Sequence, residues 1–555
     1  MQKLHEHFNT VKTPQSQPIP GTAQVQNSAG GFTWKVDKWQ QLDRFLILGI
    51  EGGTYYASER KLSRENSTSA FECIKENGLR VVGRLVEISD SGRAAKNDPA
   101  LFVLAMCAKM GDDQTKAAAY QALSKVARIG THLFHFVEYA KAFGGLGGNG
   151  FKRALARWYT NQPAWRVALQ AVKYQQRDGW SHRDLLRLAH PVAPTGDHQA
   201  IFHYITKGRT SDLTGVEEVP KDLQLIWAWE TAKTLAPTDT KVMVRLISEF
   251  RLPHECVPNE FKAQAEIWEA LSVGMPVGAL IRNLNKMTAV GLLTGTSKAT
   301  KTIVDALGDQ EVLAKARLHP MSVLMALKQY ASGAGFKGKL TWKPVGKVID
   351  ALNAAFYLTF KNVEPTNKAI CLALDVSGSM CAPVSGAPNL TCREASAALA
   401  LVMANVEPNH EIIGFTCGGG GKTLSSGTSS WFSRHDGVSQ LAISAKQRLD
   451  DVCAYTAGLG FSGTDCALPM LWAFQYKVEI DLFVIYTDSE TWHGNVHPTQ
   501  ALQQYRQKMG RPAKLVVVGM TGNAFTIADP TDSGQLDVVG FDSGVPEVIS
   551  NFAKE

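Results

Sequence analysis

A short group of hydroxyl and carboxylate side chains follows an apolar run in the last third of the chain. Residues 369–374 read AICLAL, a continuous apolar run typical of a buried parallel strand. Asp375, Ser377 and Ser379 follow it directly, at alternate positions of the sequence DVSGS. In an open parallel sheet, ligands bind in the loops at the carboxyl ends of the strands. One carboxylate and two hydroxyls in such a loop suit Mg²⁺ or another hard divalent cation, with water completing its coordination.

Two later loops carry matching oxygen atoms. Residues 462–465 read SGTD and include Thr464, and residues 486–490 read YTDSE and include Asp488. The pattern D-x-S-x-S, followed by a threonine loop and an aspartate loop, resembles the metal-ion-dependent adhesion site of von Willebrand factor A domains. The alternative is that these polar residues only cap loops and hold no ion.

The adhesion-site resemblance assigns a role to each of these side chains. It implies direct coordination of a divalent metal ion, expected to be Mg²⁺, by Asp375, Ser377, Ser379 and Thr464. It places Asp488 close to the ion or in contact with it through water. Such a site keeps one coordination position for a carboxylate of a partner, so it indicates adhesion rather than catalysis.

A basic and aromatic segment spans residues 151–190. Its cations recur at helical spacing, so neighbouring helices would each present two or three of them on one surface suited to phosphates. These cations are Lys152, Arg153, Arg157, Arg166, Lys173, Arg177, Arg183 and Arg187, followed by His190. Aromatic residues lie among them, and they either stack on unpaired bases or, more commonly, pack the helices together. They are Trp158, Tyr159, Trp165, Tyr174 and Trp180.

The charge of the chain is divided unevenly along its length. The net charge is +7, but residues 366–555 contain 12 basic and 18 acidic residues, while residues 1–365 contain 46 basic and 33 acidic residues. A basic larger part joined to an acidic smaller part predicts a polyanionic partner for the basic part. An ordinary basic surface would explain the charge equally well.

The elements that must position these residues form two regions. Between residues 38 and 360, apolar residues recur every three or four positions in segments of about 10 to 18 residues, as in a stack of helical hairpins. After residue 365, apolar runs alternate with helical patterns, which predicts an open parallel sheet covered on both faces. We therefore predict a flexible N-terminal arm (1–30), an all-α repeat region (31–364) and a doubly wound α/β domain (365–555). Within the arm, the Gln-, Pro-, Ser- and Gly-rich residues 14–31 read as mobile.

Composition excludes several classes of protein. The chain is 45% hydrophobic and 20% charged, which fits a globular protein, and it has neither a long apolar stretch for a membrane span nor the apolar core of a secretory signal. Its nine cysteines are scattered and none forms a C-x-x-C pair. We expect reduced thiols and a cytoplasmic location.

Several stretches of the chain resemble the Ro ribonucleoprotein family, whose shared region is called the TROVE domain. The first is KYQQRDGWSHRDLLRLAHP at 173–191, and nearly the whole chain follows in order, with only residues 1–30 and 417–445 poorly matched. The other stretches are ALIRNLNKMT (279–288), HPMSVLMAL (319–327), AAFYLTFKNVEPTNKAICLALDVSGSM (354–380), GTDCALPMLWA (463–473), TDSET (487–491), VHPTQALQQYRQKM (496–509) and AKLVVVGMTGNAFTIADP (513–530).

This resemblance implies a fold and a function. The fold is a ring of HEAT-like helical repeats whose ends are held together by the von Willebrand factor A-like domain. Family members bind small noncoding Y RNAs on the outer surface of the ring and the single-stranded 3′ ends of misfolded RNAs in its central hole. Lys173, Arg177 and His190 fall where the family has RNA-binding residues. Further candidates for the basic wall beside them are Lys152, Arg153 and Arg157.

The functional hypothesis is therefore an RNA chaperone or scaffold in RNA quality control that is not an enzyme. We expect a monomer, and bacterial members of the family resemble adaptors that tether a 3′ exoribonuclease, polynucleotide phosphorylase, through a Y RNA. One alternative is a protein-adhesion scaffold that acts through its metal site. A metal-dependent nuclease or phosphatase is a weaker alternative, because one adhesion site explains both Asp375 and Asp488.

Overall fold

Helices that pack one against the next form the first two thirds of the chain. The computed structural model describes residues 12–49, 67–94, 96–208, 219–335, 338–360, 364–384, 387–417, 437–459, 463–541 and 543–555. Within those ranges, the first region contains seventeen α-helices and four short strands. Each helix and each strand of the chain is numbered below in chain order.

The strands of the first region form two hairpins, β1 (Val25–Gln26) with β2 (Phe32–Lys35) and β3 (Gln176–Arg177) with β4 (Trp180–Ser181). Its helices are α1 (Lys38–Leu48), α2 (Thr68–Ser91), α3 (Asp98–Met110), α4 (Asp113–Val126), α5 (Gly130–Ala142), α6 (Asn149–Thr160), α7 (Ala164–Lys173), α8 (His182–Ala189), α9 (Gly196–Lys207), α10 (Gln224–Ala232), α11 (Thr240–Phe250), α12 (Ala265–Ser272), α13 (Val277–Ala289), α14 (Lys298–Leu307), α15 (Gln310–Lys315), α16 (Pro320–Ala331) and α17 (Gly346–Leu358). Every helix in the described ranges is too short or too polar to cross a lipid bilayer.

Polar side chains determine where several of these helices begin. Asp37 precedes α1 and accepts hydrogen bonds from the backbone N–H groups of Trp39 and Gln40. Ser181 and Asp184 form a reciprocal capping box at the start of α8. Such side chains satisfy N–H groups that have no partner within the helix, so they favour initiation at these positions.

The helical region closes on itself. Nε of Arg317, just after α15, donates to the carbonyl oxygen of Asp90 at 2.8 Å, and its guanidinium also contacts the Asp90 carboxylate. His319, which caps α16, bonds through Nε2 to the carbonyl oxygen of Arg93 at 2.9 Å. These contacts join residues more than two hundred positions apart, and they make the helical array a ring.

A doubly wound α/β domain follows the ring. A six-stranded sheet has the order β13-β11-β10-β5-β8-β9, in which only the short edge strand β9 is antiparallel. The strands are β5 (Ile370–Asp375), β6 (Pro383–Val384), β7 (Ala387–Thr391), β8 (His410–Phe415), β9 (Val438–Gln440), β10 (Leu482–Thr487), β11 (Lys514–Gly519), β12 (Phe525–Thr526) and β13 (Gln535–Val539). The helices are α18 (Cys392–Val406), α19 (Leu449–Ala457), α20 (Leu468–Gln475), α21 (Pro498–Met509) and α22 (Val545–Lys554).

Both faces of this sheet are covered, which explains its continuous apolar strands. Every residue of β5 is buried. Leu372 and Leu374 face an apolar core that continues into the helical ring, whereas Cys371 and Ala373 face a second core on the opposite side. The predicted order, a helical array followed by a covered parallel sheet, is confirmed.

The N-terminal segment differs from its prediction. The expectation of a mobile arm over residues 14–31 is wrong, because this segment packs against the α/β domain. Gln15 is buried and donates to Oδ1 of Asp465 at 2.6 Å, and the buried Asn27 donates to the carbonyl oxygen of Thr491 at 2.7 Å. Strand β2 also pairs with β12. A polar, proline-rich composition conceals this order, because hydrogen bonds to distant loops replace apolar contacts. Residues 1–11 of the predicted arm lie outside the described residues.

A buried ion pair fixes the first helix of the ring to the α/β domain. Arg44 of α1 contacts Asp537 of β13 at 2.7 Å, with side chains that are 1% and 5% exposed. The same guanidinium donates to the carbonyl oxygens of Asn523 and Phe525. At the other end of the ring, Lys328 of α16 pairs with Glu394 of α18 at 2.6 Å. The α/β domain therefore holds both ends of the helical array.

Arg44→Met is expected to lower the free energy of unfolding by about 3 kcal/mol or more, because it leaves the Asp537 carboxylate buried without its cation. Denaturation followed by tryptophan fluorescence measures this change. Arg84→Met is the matched control, since Arg84 pairs with Asp43 at 2.7 Å in a partly exposed setting, where a loss of about 1 kcal/mol or less is expected. Equal losses in the two variants would contradict the anchoring role of Arg44.

Candidate metal centre and candidate nucleic-acid interface

The topology of the sheet brings two of the predicted loops together. From β5 the chain passes to β8 on one side, and it later returns to β10 on the other side of β5. This reversal leaves a crevice at the carboxyl ends of β5 and β10, the usual ligand position in such sheets. Asp375 ends β5 and Asp488 follows β10, so both carboxylates lie at this crevice.

Hydrogen bonds hold the first loop in a fixed conformation. Oδ1 of Asp375 accepts from the backbone N–H of Ser377 at 2.9 Å, and its Oδ2 accepts from the hydroxyl of Thr487 at 2.7 Å. The hydroxyls of Ser377 and Ser379 lie 3.1 Å apart. All four side chains are buried. Two hydroxyls and a carboxylate therefore lie within one turn of chain.

The loop that carries Thr464 is attached to the same edge of the sheet. Thr416, directly after β8, accepts at its carbonyl oxygen from the N–H of Asp465 at 2.8 Å, and its hydroxyl donates to the carbonyl oxygen of Gly463 at 2.8 Å. Thr464 itself is buried and accepts a hydrogen bond from the N–H of His493 at 3.0 Å. The five predicted metal ligands thus lie on three loops at one edge. Ser462 of the same predicted loop lies outside the described residues.

The negative charges of Asp375 and Asp488 are buried close to each other, which is electrostatically unfavourable without a neutralising charge. Burial raises the pKa of Asp375, and burial together with the nearby charge of Asp375 raises the pKa of Asp488. Oδ1 of Asp488 accepts from the N–H of Glu490 at 3.1 Å, and the nearby Ser379 hydroxyl lowers the pKa of this carboxyl, but among the described residues its buried Oδ2 has no hydrogen-bond partner. A buried oxygen without a donor is costly unless a cation or a proton neutralises it.

Arg393 supports the first loop from behind, a role that was not predicted from the sequence. This buried arginine of α18 donates to the carbonyl oxygens of Val376 at 2.5 Å and Ser377 at 3.1 Å, and to that of Leu459 at 2.8 Å. Among the described residues, neither Asp375 nor Asp488 forms an ion pair. An arginine in the first turn of an otherwise apolar helix pattern is the signal that could have revealed it.

The chemistry of this set of donors fits a hard divalent cation. Carboxylate and hydroxyl oxygens are the ligands that Mg²⁺ prefers, and a cation would offset the repulsion between the two carboxylates. Asp375, Ser377, Ser379 and Thr464 could hold such an ion, with Asp488 adjacent.

The predicted RNA-binding residues lie around α8, at both of its ends. Lys173 ends α7, and Arg177 lies in the β3–β4 hairpin that precedes α8. Asp178 and Gly179 connect the two strands with φ values of 53° and 78°, as a type I′ turn requires. His190 caps the other end of α8 in the left-handed conformation. The eight-residue helix, about 12 Å long, separates His190 from Lys173 and Arg177.

The basic side chains of this surface differ in their solvent exposure and in their ion pairs, and therefore in how readily they can contact a phosphate. The side chain of Arg177 is 60% exposed and lies 3.8 Å from the carboxylate of Asp178, whereas that of Lys173 is 14% exposed and pairs with Glu255 at 3.3 Å. Arg153 and Arg157 are exposed on α6, with Lys152 partly buried beside them. Lys116 of α4 lies across from them, although no signal in the sequence joined it to this group. The structure therefore extends the basic surface beyond residues 151–190.

The aromatic residues of this segment have two roles. Trp158 and Tyr159 are buried, and the hydroxyl of Tyr159 bonds to Nδ1 of His182 at 2.8 Å. Burial lowers the pKa of His182 to about 4, so it is neutral in this core. The expectation that most aromatics pack the helices is confirmed for Trp158 and Tyr159. Trp165 is different, since it is 53% exposed at the start of α7.

Comparison with known proteins identifies the family of the chain. Residues 25–329 match the TROVE domain, and residues 369–553 match the Ro60 vWA domain. The chain is 39% identical over 557 residues to "RNA-binding protein RO60" of Deinococcus radiodurans, covering 100% of this chain and 99% of that relative. It is 35% identical over 613 residues to the protein of that name from Caenorhabditis elegans, covering 98% of this chain and 92% of the relative.

A solved structure agrees with this assignment. The crystal structure of the Deinococcus radiodurans RO (RSR) protein is similar with a TM-score of 0.68 and 40% sequence identity, covering 93% of this chain and 99% of that chain. The fold class predicted from the sequence and its resemblance to the Ro ribonucleoprotein family are both confirmed. The chain belongs to the Ro60 family, in which a TROVE domain precedes a Ro60 vWA domain.

Proposed function

We propose that this chain binds small structured RNAs through the basic surface around α6, α7 and α8. The observation that carries the proposal is the exposure of Arg153, Arg157, Arg177 and His190 on neighbouring elements. Clustered exposed cations on adjacent helices form a surface to which phosphates bind. Two relatives that align with nearly the whole chain are named for RNA binding, which supports the same conclusion.

We further propose that two kinds of RNA bind at two places on the ring. Small noncoding Y RNAs bind the outer surface of the ring, and the single-stranded 3′ ends of misfolded RNAs enter its central hole. The chain acts without a catalytic step, as a cytoplasmic monomer that serves as a scaffold in RNA quality control. A 3′ exoribonuclease such as polynucleotide phosphorylase is the partner that the bound RNA tethers. The excess of basic residues before residue 366 supports RNA contact with the ring rather than with the acidic α/β domain.

A salt titration with two matched RNAs tests the proposal. One RNA is a stable hairpin with a single-stranded 3′ tail, and the other is the same hairpin without the tail. Both should bind with an affinity that falls by about a thousandfold or more between 50 and 200 mM salt if roughly six phosphates are contacted. The tailed RNA should bind more tightly, because a hole of limited width excludes duplex but admits a single strand. Weak binding that is independent of salt would contradict the proposal.

We also propose that the α/β domain binds a divalent cation, with Mg²⁺ as the expected ion. Asp375, Ser377, Ser379 and Thr464 would hold it, and Asp488 would contact it directly or through water. The unpartnered Oδ2 of Asp488 is the observation that supports this assignment. When bound, the ion supplies an open coordination position for a carboxylate of a partner. A metal-dependent protein-adhesion scaffold is therefore the second candidate function, and it is compatible with RNA binding by the ring.

A further inference from the structure

A groove lies between α4 and α6, on the helical ring and away from the candidate metal centre. Its volume is about 930 Å³. Small residues at positions 117, 150 and 156 leave the space between the two helices open, and longer side chains form its walls. The lining residues with charged, amide or exposed apolar side chains include Lys116, Gln121, Arg153, Arg157, Asn161 and Val192.

The charges along this groove are predominantly positive. Lys116, Arg153 and Arg157 line it, against the single carboxylate of Asp113, which lies 3.9 Å from Lys116. Nε of Arg153 donates to the carbonyl oxygen of Asn149 at 3.3 Å. Within the described ranges, no carboxylate pairs with Arg153 or Arg157, so both guanidinium groups remain available to an anion. A partner with regularly spaced negative charges matches this arrangement.

The remaining lining suits nucleobases. The side chains of Gln121 and Asn161 provide amide donors and acceptors, which can bond to the edges of unpaired bases. Val192 is 86% exposed and lines the groove together with Pro194, and both offer apolar surface to a base. The bases of a single strand can present their edges to these amide groups, whereas the bases of a duplex are already paired with one another, so this lining favours a single strand.

The groove is continuous with the surface that the proposed function assigns to RNA. Val192 follows His190 by two residues, so the chain after α8 leads from His190 to the groove. A single RNA molecule can therefore contact the surface around α8 with a paired part and the groove between α4 and α6 with an unpaired part.

We propose that the groove between α4 and α6 binds an unpaired segment of RNA through Lys116, Arg153 and Arg157. The inference rests on the proposed function and adds a second site that is selective for single strands. Arg153 and Arg157 bind successive phosphates, while Gln121, Asn161 and Val192 contact the bases.

Fluorescence anisotropy with the full chain and a labelled oligouridine of about ten nucleotides tests the proposal, because such a probe spans one single-strand site and forms no duplex. The double variant R153Q/R157Q should bind this probe about tenfold more weakly, with a salt slope lower by about 1.4, as two lost contacts to a single strand require. Its affinity for a blunt hairpin should fall by a smaller factor, about threefold, since Lys173, Arg177 and His190 around α8 still contact the duplex. R153K/R157K should retain most of the affinity for oligouridine.

The outcomes separate this inference from the proposed function. If the wild type binds hairpin RNA but R153Q/R157Q binds oligouridine normally, the groove assignment is wrong and the proposed function stands. Equal losses for hairpin and oligouridine would also overturn it, since the two arginines would then act only through general charge. Failure of the wild type to bind either RNA would overturn both proposals. Tighter binding of oligoglutamate than of oligouridine to the groove would reassign it to an acidic protein partner.

Discussion

Substituting Lys173, Arg177 and His190 together by glutamine should weaken binding of a structured RNA by about a hundredfold and reduce its salt slope by about 2. Lys173 and Arg177 supply two positive charges, and each phosphate contact on a duplex contributes about 0.9 to the slope. The three residues flank α8, so their loss removes contacts along the RNA rather than at one phosphate. Filter binding or anisotropy across a salt series measures both quantities.

The ion pair between Lys173 and Glu255 makes this prediction more specific. Lys173→Gln removes the ammonium group 3.3 Å from Glu255 and leaves that carboxylate, which His254 contacts at 2.9 Å, beside the proposed path of the phosphates. The single variant should therefore lose more affinity than Arg177→Gln, although Arg177 is more exposed. Removing that carboxylate in the double variant K173Q/E255Q should recover part of the loss, by about 1 kcal/mol.

A matched pair of exposed lysines controls for general charge. Lys298 and Lys301 lie on α14 and are both exposed. The variant K298Q/K301Q also removes two positive charges, but from another part of the ring. Its affinity for the structured RNA should stay within about threefold of that of the wild type. If it loses as much affinity as the triple variant, RNA binding depends on the net charge of the ring and not on the surface around α8.

Much of the fold was predictable because its signals are local. The apolar spacing between residues 38 and 360 predicted the helices, and the buried runs after residue 365 predicted the parallel strands. The strand pattern also placed Asp375 and Asp488 at one edge of the sheet, since carboxyl ends of parallel strands meet there, whereas Thr464 was assigned to the same site by the adhesion-site resemblance. In these cases, neighbours in sequence carry the information that decides the structure.

The contacts that were not predicted join residues far apart in the chain. Gln15 bonds to Asp465, and Arg44 pairs with Asp537, yet no pattern near either residue indicates its partner. The prediction of a mobile arm was wrong for the same reason. Composition shows that the segment has few apolar residues, but it does not show that the segment forms hydrogen bonds to a distant loop. Lys116 joined the basic groove only when packing placed α4 beside α6. Tertiary contacts therefore decided these features.

Asp488→Asn should have opposite effects on the protein without a metal ion and with one. Without an ion, Asp375 and Asp488 are buried carboxylates close enough to raise the pKa of Asp488, and one oxygen of Asp488 has no described donor. Replacing a carboxylate by an amide removes that repulsion and should raise the stability of the metal-free protein by about 1 kcal/mol or more. The same substitution removes a negative charge that a cation requires, so the stabilisation by added ion should be lost.

Thermal unfolding in EDTA and in excess MgCl₂ or MnCl₂ measures both effects, and Mn²⁺ binding followed by electron paramagnetic resonance reports occupancy directly. At an ion concentration about 100 times the Kd, the wild type should gain about 2.7 kcal/mol. Asp451→Asn is the control, since Asp451 is exposed in the first turn of α19: the substitution should lower the metal-free stability slightly, by about 0.5 kcal/mol, and leave the response to ion unchanged. A destabilised metal-free D488N protein that still binds Mn²⁺ normally would exclude Asp488 from the site. A wild type that neither binds Mn²⁺ nor responds to Mg²⁺ would contradict the metal centre itself, because the stability gained by D488N would then reflect only the relief of charge repulsion.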